Sequence, residues 1–198
     1  AKLKVIGGGK PALQGKIAVV TGGASGIGKA VAMELKAQGA SVGVLDVNPA
    51  VKTDFKGDGL LGVVCDVTSS GSIAQALDEV ARHFGGLDIL VTNAGTFPPG
   101  KTIAELPEDE WTRTLDINLS GHWRTIKAAI PLLKLGFDPA IVVVGSKNVP
   151  APGPGASAYS TAKAGLTQLA RVAALELAPF GVRVNTVHPD AVFDTGIW

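Results

Sequence analysis

Tyr159 and Lys163 stand four residues apart in "YSTAK", and Ser146 lies 13 residues ahead of the tyrosine in "VVVGSKN". If the chain from Ala158 onward is helical, the tyrosine and lysine project one turn apart from a single face. A phenol with an ordinary pKa of about 10 is a poor base at neutral pH. An ammonium held beside it favours the phenolate and lowers that value. A phenolate so tuned can take the proton of an alcohol while hydride leaves its carbon. A Tyr/Lys pair at this spacing is by itself an ordinary surface contact. The serine ahead of it and a nucleotide-binding turn upstream give it chemical meaning. Ser157 and Ser160 flank the tyrosine and read as helix-start and surface hydroxyls. The stretch "PAPGPG" at 150–155 is too short for a domain linker and reads as a shaped loop between the serine and the Tyr/Lys helix.

The nucleotide-binding turn is "TGGASGIG", Thr21 to Gly28. Gly22 allows a tight turn, and Gly26 and Gly28 let backbone approach a pyrophosphate and pack helix on strand. Ser25 and Ile27 fall within the same phosphate-facing stretch. The N-terminus of the helix that follows offers free N–H groups and a positive dipole end. Asp46 ends the next apolar run, 18 residues beyond Gly28. A carboxylate there accepts both ribose hydroxyls of an adenosine half and repels a 2′-phosphate. Val47 and Asn48 follow it, with no adjacent arginine or lysine, so NAD is the expected cofactor. Asp66, with Val67 beside it, is placed to meet the adenine, or else serves as a turn carboxylate.

These residues need a scaffold that brings strand ends together. Six nearly continuous apolar runs read as strands covered on both faces: "KIAVVTG", "SVGVLDV", "LLGVVCDV", "LDILVTNAG", "AIVVVGS" and "VRVNTVHP". Helical segments are expected over Ile27–Gln38, Ser70–Phe84, Glu108–Leu135 and Ala158–Pro179. Pro107 and the acidic residues after it mark the start of the third. Strand–helix alternation predicts an α/β fold, a doubly wound parallel sheet flanked by helices. The 198 residues, 46% of them apolar, suffice for one domain with a sizeable core. Residues 1–14, with a glycine triplet and Pro11, read as a linker or approach segment, and 15–198 as a single NAD-binding catalytic domain. A net charge of +1 leaves no global field for nucleic acid or an acidic membrane surface. No run of 18 apolar residues is present, so no membrane span is expected. The single cysteine, Cys65, permits no intrachain disulfide, which suits a reducing, cytoplasmic compartment. His122 and His188 have no partner at metal-ligand spacing, and no metal is expected.

Taken together, "TGGASGIG", "NAG" at 93–95, Asn118 in "LDINLSG", Ser146 and "YSTAK" resemble a short-chain dehydrogenase/reductase over about residues 15 to 190. Asn118 to Ser146 is 28 residues and Ser146 to Tyr159 is 13, both usual in that family. The resemblance implies a Rossmann fold and a catalytic set of Asn118, Ser146, Tyr159 and Lys163. Tyr159 would be the general acid/base. Lys163 would lower its pKa and hydrogen-bond the nicotinamide ribose. Ser146 would orient the substrate oxygen, and Asn118 would anchor a water linking Lys163 to solvent. Asn93, Ala94 and Gly95 would hold the central strand and line the adenosine side, and Pro189 and Val192 would reach the carboxamide. Trp111, Trp123 and Leu132 lie on the helix that packs against a partner subunit in the family, so a homo-dimer or homo-tetramer is expected.

Two departures stand out. Asp190 replaces the glycine of the family's Pro-Gly pair, and Thr195 falls one residue late. Family members continue past this point through a substrate loop and a seventh strand, so the resemblance implies an incomplete C-terminal part. The phrases "PLLKLGFDPAIVVVGSKNVPAPGPGASAYS" and "HPDAVFDTGIW" are most similar to the dehydrogenase half of bifunctional rhamnulose-phosphate aldolase/short-chain dehydrogenases. They imply a small hydroxyaldehyde such as lactaldehyde as substrate and an upstream aldolase domain. Lys147 and Asn148 could contact a polar or anionic part of the substrate, or be a solvated lysine and a loop cap. The other readings are an alcohol or sugar dehydrogenase of the same family and a non-catalytic NAD-binding module.

Overall fold

The computed structural model describes residues 11–192. Seven strands form one sheet: β1 (Ile17–Thr21), β2 (Ser41–Asp46), β3 (Lys56–Gly57), β4 (Leu60–Val64), β5 (Ile89–Thr92), β6 (Ala140–Val144) and β7 (Arg183–Val187). Their order is β3-β4-β2-β1-β5-β6-β7, and every pairing is parallel except the β3–β4 hairpin. The six expected runs are the six parallel strands, and the doubly wound arrangement is the one expected. The order of connection reverses between β1 and β5, which opens a crevice beyond their carboxyl ends, where such sheets hold ligands.

Six helices cover the sheet: α1 (Gly26–Ala37), α2 (Val51–Asp54), α3 (Ser70–Phe84), α4 (Glu108–Leu115), α5 (Gly121–Leu133) and α6 (Ser157–Leu177). On one face, Ile73 and Leu77 of α3, Ile126 and Leu133 of α5, and Leu166 of α6 close over Val19, Leu90 and Ile141. On the other, Ala32 of α1 and Val51 and Phe55 at α2 close over Val20, Val44 and Val91. Alternate residues of one strand thus feed two separate cores, which is why each strand reads as continuously apolar. Leu13 packs beside the second core, and its N–H donates to Gln38 O. The approach segment is therefore docked over residues 11–14.

Two parts differ from the sequence reading. The turn α2 and the edge strand β3 were not expected, being too short to carry a period. The signal for α2 was Asn48, whose Oδ1 accepts from Ala50 N, followed by Pro49. The expected helix 108–135 is interrupted at Asp116–Ser120, where one wider, π-type turn separates α4 from α5. Such a turn inserts an extra residue and often marks a functional site. Here it carries Asn118, fully buried.

Candidate active site

The glycine-rich turn is held from beneath. Thr21 Oγ1 accepts from Asn93 N and Ala94 N, while Asn93 Nδ2 donates to Thr21 O and Gly22 O, both at 3.0 Å. Gly22 and Gly26 take φ of +64° and +51°, values that disfavour any side chain. A Cβ on Gly28 would sit 2.1 Å from Gly22 O, so α1 meets the turn with no space between. Asp46 braces the same turn, its Oδ2 accepting from Ala24 N at 3.0 Å and its Oδ1 from Asn48 N.

A cleft of about 450 Å³ runs from this turn to the end of β6. Gly22, Ser25, Gly26, Ile27, Asp46, Asn93 and Gly95 line one end; Asn118, Ser146, Tyr159, Lys163 and Pro189 line the other. An adjoining cavity of about 1070 Å³ shares Gly22, Asp46 and Gly95 and is further lined by Asp66, Val67 and Ala94. Asp66 does the work of a turn carboxylate there. Its Oδ1 accepts from both Thr68 N and Thr68 Oγ1, and these bonds hold its carboxyl below the ordinary value. Val192 lines neither space, whereas Asp190 and Ala191 do line the cleft. Thr195 lies outside the described residues. A dinucleotide fits this shape: a cradle kept free of Cβ atoms at a helix N-terminus, with a carboxylate at the next strand end.

At the reacting end, Ser146 and Tyr159 line the same end of the cleft, and the serine hydroxyl acts to lower the phenol's pKa. Asn148 N donates to Ser146 Oγ at 3.1 Å, which holds the hydroxyl oxygen in place. Lys163 is 3% exposed, and its Nζ donates to Val144 O at 2.9 Å. Burial pushes its pKa down to about 8. Tyr159 behaves contrary to the sequence expectation. Burial raises its pKa, with the Ser146 hydrogen bond opposing, and the Lys163 ammonium lies 5.7 Å from the ring centroid. Part of that burial comes from Phe97, whose ring meets Tyr159 edge-on with centroids 4.6 Å apart. Helical spacing put the pair on one face, but the ammonium turns to Val144 O while the tyrosine ring packs against Phe97.

Asn118 is also differently engaged. Its Nδ2 donates to Thr96 O and Thr114 O, and its Oδ1 accepts from Thr96 N. Both amide protons are thus committed to the loop after β5, and the side chain has none left to give a water.

Further contacts tie down the serine loop. His188 Nδ1 lies 3.0 Å from Ser146 O and 3.3 Å from Ser146 N, so the ring backs the serine from the neighbouring strand end. Lys147 is not a free cation, since its Nζ pairs with Asp190 Oδ1 at 2.6 Å. Asn148 Nδ2 reaches Ser160 Oγ, tying the serine loop to α6. Ser157 Oγ has no partner among the described residues. Cys65 is buried, and burial pushes its thiol up to about 11, leaving it protonated and inert. No described helix is long and apolar enough to cross a membrane.

A trans-4-hydroxycyclohexanecarboxylate dehydrogenase of Sinomonas cyclohexanicum is 35% identical over 195 residues, covering 89% of this chain and 72% of its own. A 4-formylbenzenesulfonate dehydrogenase of Comamonas testosteroni is 37% identical over 183 residues, covering 89% and 73%. The structure of a 3-ketoacyl-(acyl-carrier-protein) reductase from Brucella melitensis complexed with NADH superposes with a TM-score of 0.90 at 28% identity, over 94% of this chain and 79% of that one. Residues 16–198 match the short chain dehydrogenase family as a whole, and the chain belongs to that family of oxidoreductases.

Proposed function

We propose that the chain is an NAD-dependent oxidoreductase that transfers hydride between a small hydroxy compound or hydroxyaldehyde, such as lactaldehyde, and the nicotinamide. The observation that carries this reading is that Ser146, Tyr159 and Lys163 line one end of a cleft whose other end is the glycine turn and Asp46. Gly22, Ser25, Gly26, Ile27 and Gly28 would hold the pyrophosphate, Asp46 the adenosine ribose, Asp66 and Val67 the adenine side. Asn93, Ala94 and Gly95 would form the floor, and Tyr159, Lys163, Pro189 and Val192 would meet the nicotinamide half. The cofactor supplies the hydride acceptor when bound. Ser146 holds the substrate oxygen, Tyr159 Oη takes its proton, and Lys163 keeps positive charge beneath the phenolate. Asn118 fixes the Thr96 loop that walls this end. An aldehyde is oxidised as its hydrate, because Tyr159 needs a hydroxyl proton to remove.

The resemblance of the 131–160 and 188–198 stretches to aldolase-linked dehydrogenases supports lactaldehyde and an upstream aldolase domain. Residues 1–14 are then the linker to it. We place the enzyme in the reducing cytoplasm as a homo-dimer or homo-tetramer, with neither nucleic acid nor membrane as partner. A second reading is a cyclic substrate carrying an acid group, as the names of the two curated relatives describe. Phe97 beside Tyr159 would face its ring.

NADH formation tests these readings, assayed with lactaldehyde, small diols, 4-hydroxycyclohexanecarboxylate and simple secondary alcohols. Turnover of lactaldehyde, reduced about 10²–10⁴-fold in Tyr159→Phe, is the expected result. Turnover confined to the cyclic acid would replace the substrate and keep the mechanism. NAD binding with no turnover of any of them would favour a binding module.

Asp46→Asn keeps an acceptor for Ala24 N while removing the charge. The preference for NAD over NADP, as a ratio of kcat/KM values, is expected to fall by about tenfold or more. An unchanged ratio would take cofactor selection away from Asp46.

A further inference from the structure

The serine loop and the chain after β7 run side by side. β6 and β7 pair in parallel, with Val144 opposite Val187. The pairing continues past both strands: Gly145 N donates to Val187 O at 2.8 Å and Lys147 N to Pro189 O at 3.0 Å. These bonds set Lys147 and Asp190 next to each other, and both line the cleft. Lys147 Nζ meets Asp190 Oδ1 at 2.6 Å, and the same oxygen accepts from Ala191 N at 2.6 Å. The two bonds hold the carboxyl below its ordinary value, so it is ionised at neutral pH. Asp190 is also where the sequence departs from the family's Pro-Gly pair.

An ion pair this open to solvent adds little to stability, since the two side chains are 51% and 69% exposed. What it changes is the charge that a substrate meets. Lys147 and Lys163 are the cations among the residues lining the cleft. Lys163 is buried, and its ammonium bonds Val144 O. Lys147 is the exposed one, next to Ser146 in the chain, and by itself would be a receptor for an acid group. Asp190 cancels its charge. An acid entering here must displace Asp190 from Lys147 or settle beside a second carboxylate, and like charges so placed repel. A neutral hydroxyl meets no such barrier, because a carboxylate accepts its hydrogen bond. An opposing charge selects against one ligand without needing a new contact to the other.

We propose that Asp190 is a specificity-determining residue that masks Lys147, so that the cleft takes neutral hydroxy compounds and disfavours those carrying an acid group. This inference rests on the proposed function and deepens it, choosing the hydroxyaldehyde class over the cyclic acid.

The test uses two probes of one shape, cyclohexanecarboxylate and cyclohexanecarboxamide, which differ in charge. Neither has a hydroxyl group to oxidise, so binding is read without turnover. The sequence holds one tyrosine, so protein made with isotope-labelled tyrosine reports occupancy at Tyr159 through a single set of NMR signals. With NAD present, the wild-type protein is expected to bind the carboxylate no more tightly than the carboxamide. Asp190→Asn keeps an acceptor for Ala191 N and unmasks Lys147. In it the ratio of the two Kd values should move toward the carboxylate by about tenfold. Adding Lys147→Met should abolish that gain. In turnover, kcat/KM for 4-hydroxycyclohexanecarboxylate relative to lactaldehyde should rise in Asp190→Asn. A Kd ratio in Asp190→Asn equal to that of the wild type overturns the proposal, as does a gain that survives Lys147→Met. Tyrosine signals that ignore the carboxylate in Asp190→Asn overturn it too. The titration needs no turnover, so a wild-type protein that oxidises nothing defeats the proposed function alone, and the probes still decide on Asp190.

Discussion

Lys163→Met is expected to make the protein more stable and nearly inactive. The lysine is 3% exposed, and burial holds its pKa at about 8 in the folded chain against an ordinary value near 10.4. Between those values the unfolded chain binds more protons than the folded one, so stability rises with pH across that window. Below pH 8 the whole cost of burying the ammonium is present, about 3 kcal/mol by linkage. Methionine matches the lysine in length and carries no charge. Its substitution leaves Val144 O without its donor, which costs about 1 kcal/mol. The net gain at pH 7 is about 1–3 kcal/mol, seen as a rise in Tm of several degrees for a domain of this size. The advantage should shrink as pH rises through 8 and turn into a loss of about 1 kcal/mol above about 10.5, where the wild-type lysine is neutral in both states and still donates to Val144 O. Activity should drop about 10²–10⁴-fold, because the phenolate of Tyr159 loses the charge beneath it. Thermal melts across pH 6–11 check the sign. A lower Tm at pH 7, or a difference that ignores pH, would mean that the ammonium is not the burden its burial implies.

That trade explains which parts of the site could be read before the fold was known. Tyr159, Lys163, Ser146, Asp46 and the glycines of 22–28 stand out in the sequence because the proposed chemistry would need those residue types at strand ends and helix starts. The fold was legible for the same reason: each parallel strand is buried on both faces and each covering helix is long enough to show a period. What could not be read depends on distances. Tyr159 rises in pKa rather than falling because Phe97 and the serine loop bury it while Lys163 points to Val144 O. No spacing rule contains that competition. The interruption at Asp116–Ser120 was hidden by apolar residues that continue through it. It is driven by one side chain, Asn118, finding partners in the loop after β5. His122 and His188 were dismissed together for lack of metal-ligand spacing. Sequence offered no sign that one would be sealed in the interior and the other would back the serine.

Gly28→Ala should have the other large effect, because one added carbon has nowhere to go. A Cβ there would meet Gly22 O at 2.1 Å and Asn93 Nδ2 at 2.6 Å. Both neighbours are fixed, since Asn93 Nδ2 already binds Gly22 O and Thr21 O. The side chain cannot swing aside without freeing two carbonyls, so α1 must lift away from the turn. Overpacking of this kind costs about 3 kcal/mol or more. Part of that strain falls on the fold and lowers Tm. The rest falls on the phosphate cradle, because N–H groups at the start of α1 work only at hydrogen-bonding distance. The Kd for NAD is expected to rise by about a hundredfold, while Ser146, Tyr159 and Lys163 remain in place some distance away. Saturating cofactor should therefore restore much of kcat, a result that separates damage to the cradle from damage to the reacting end. Isothermal titration with NAD, beside a melt of the cofactor-free protein, reads both effects. NAD binding at wild-type strength in a variant of lower Tm would show that the packing of α1 on the turn serves the fold and leaves the cofactor unaffected.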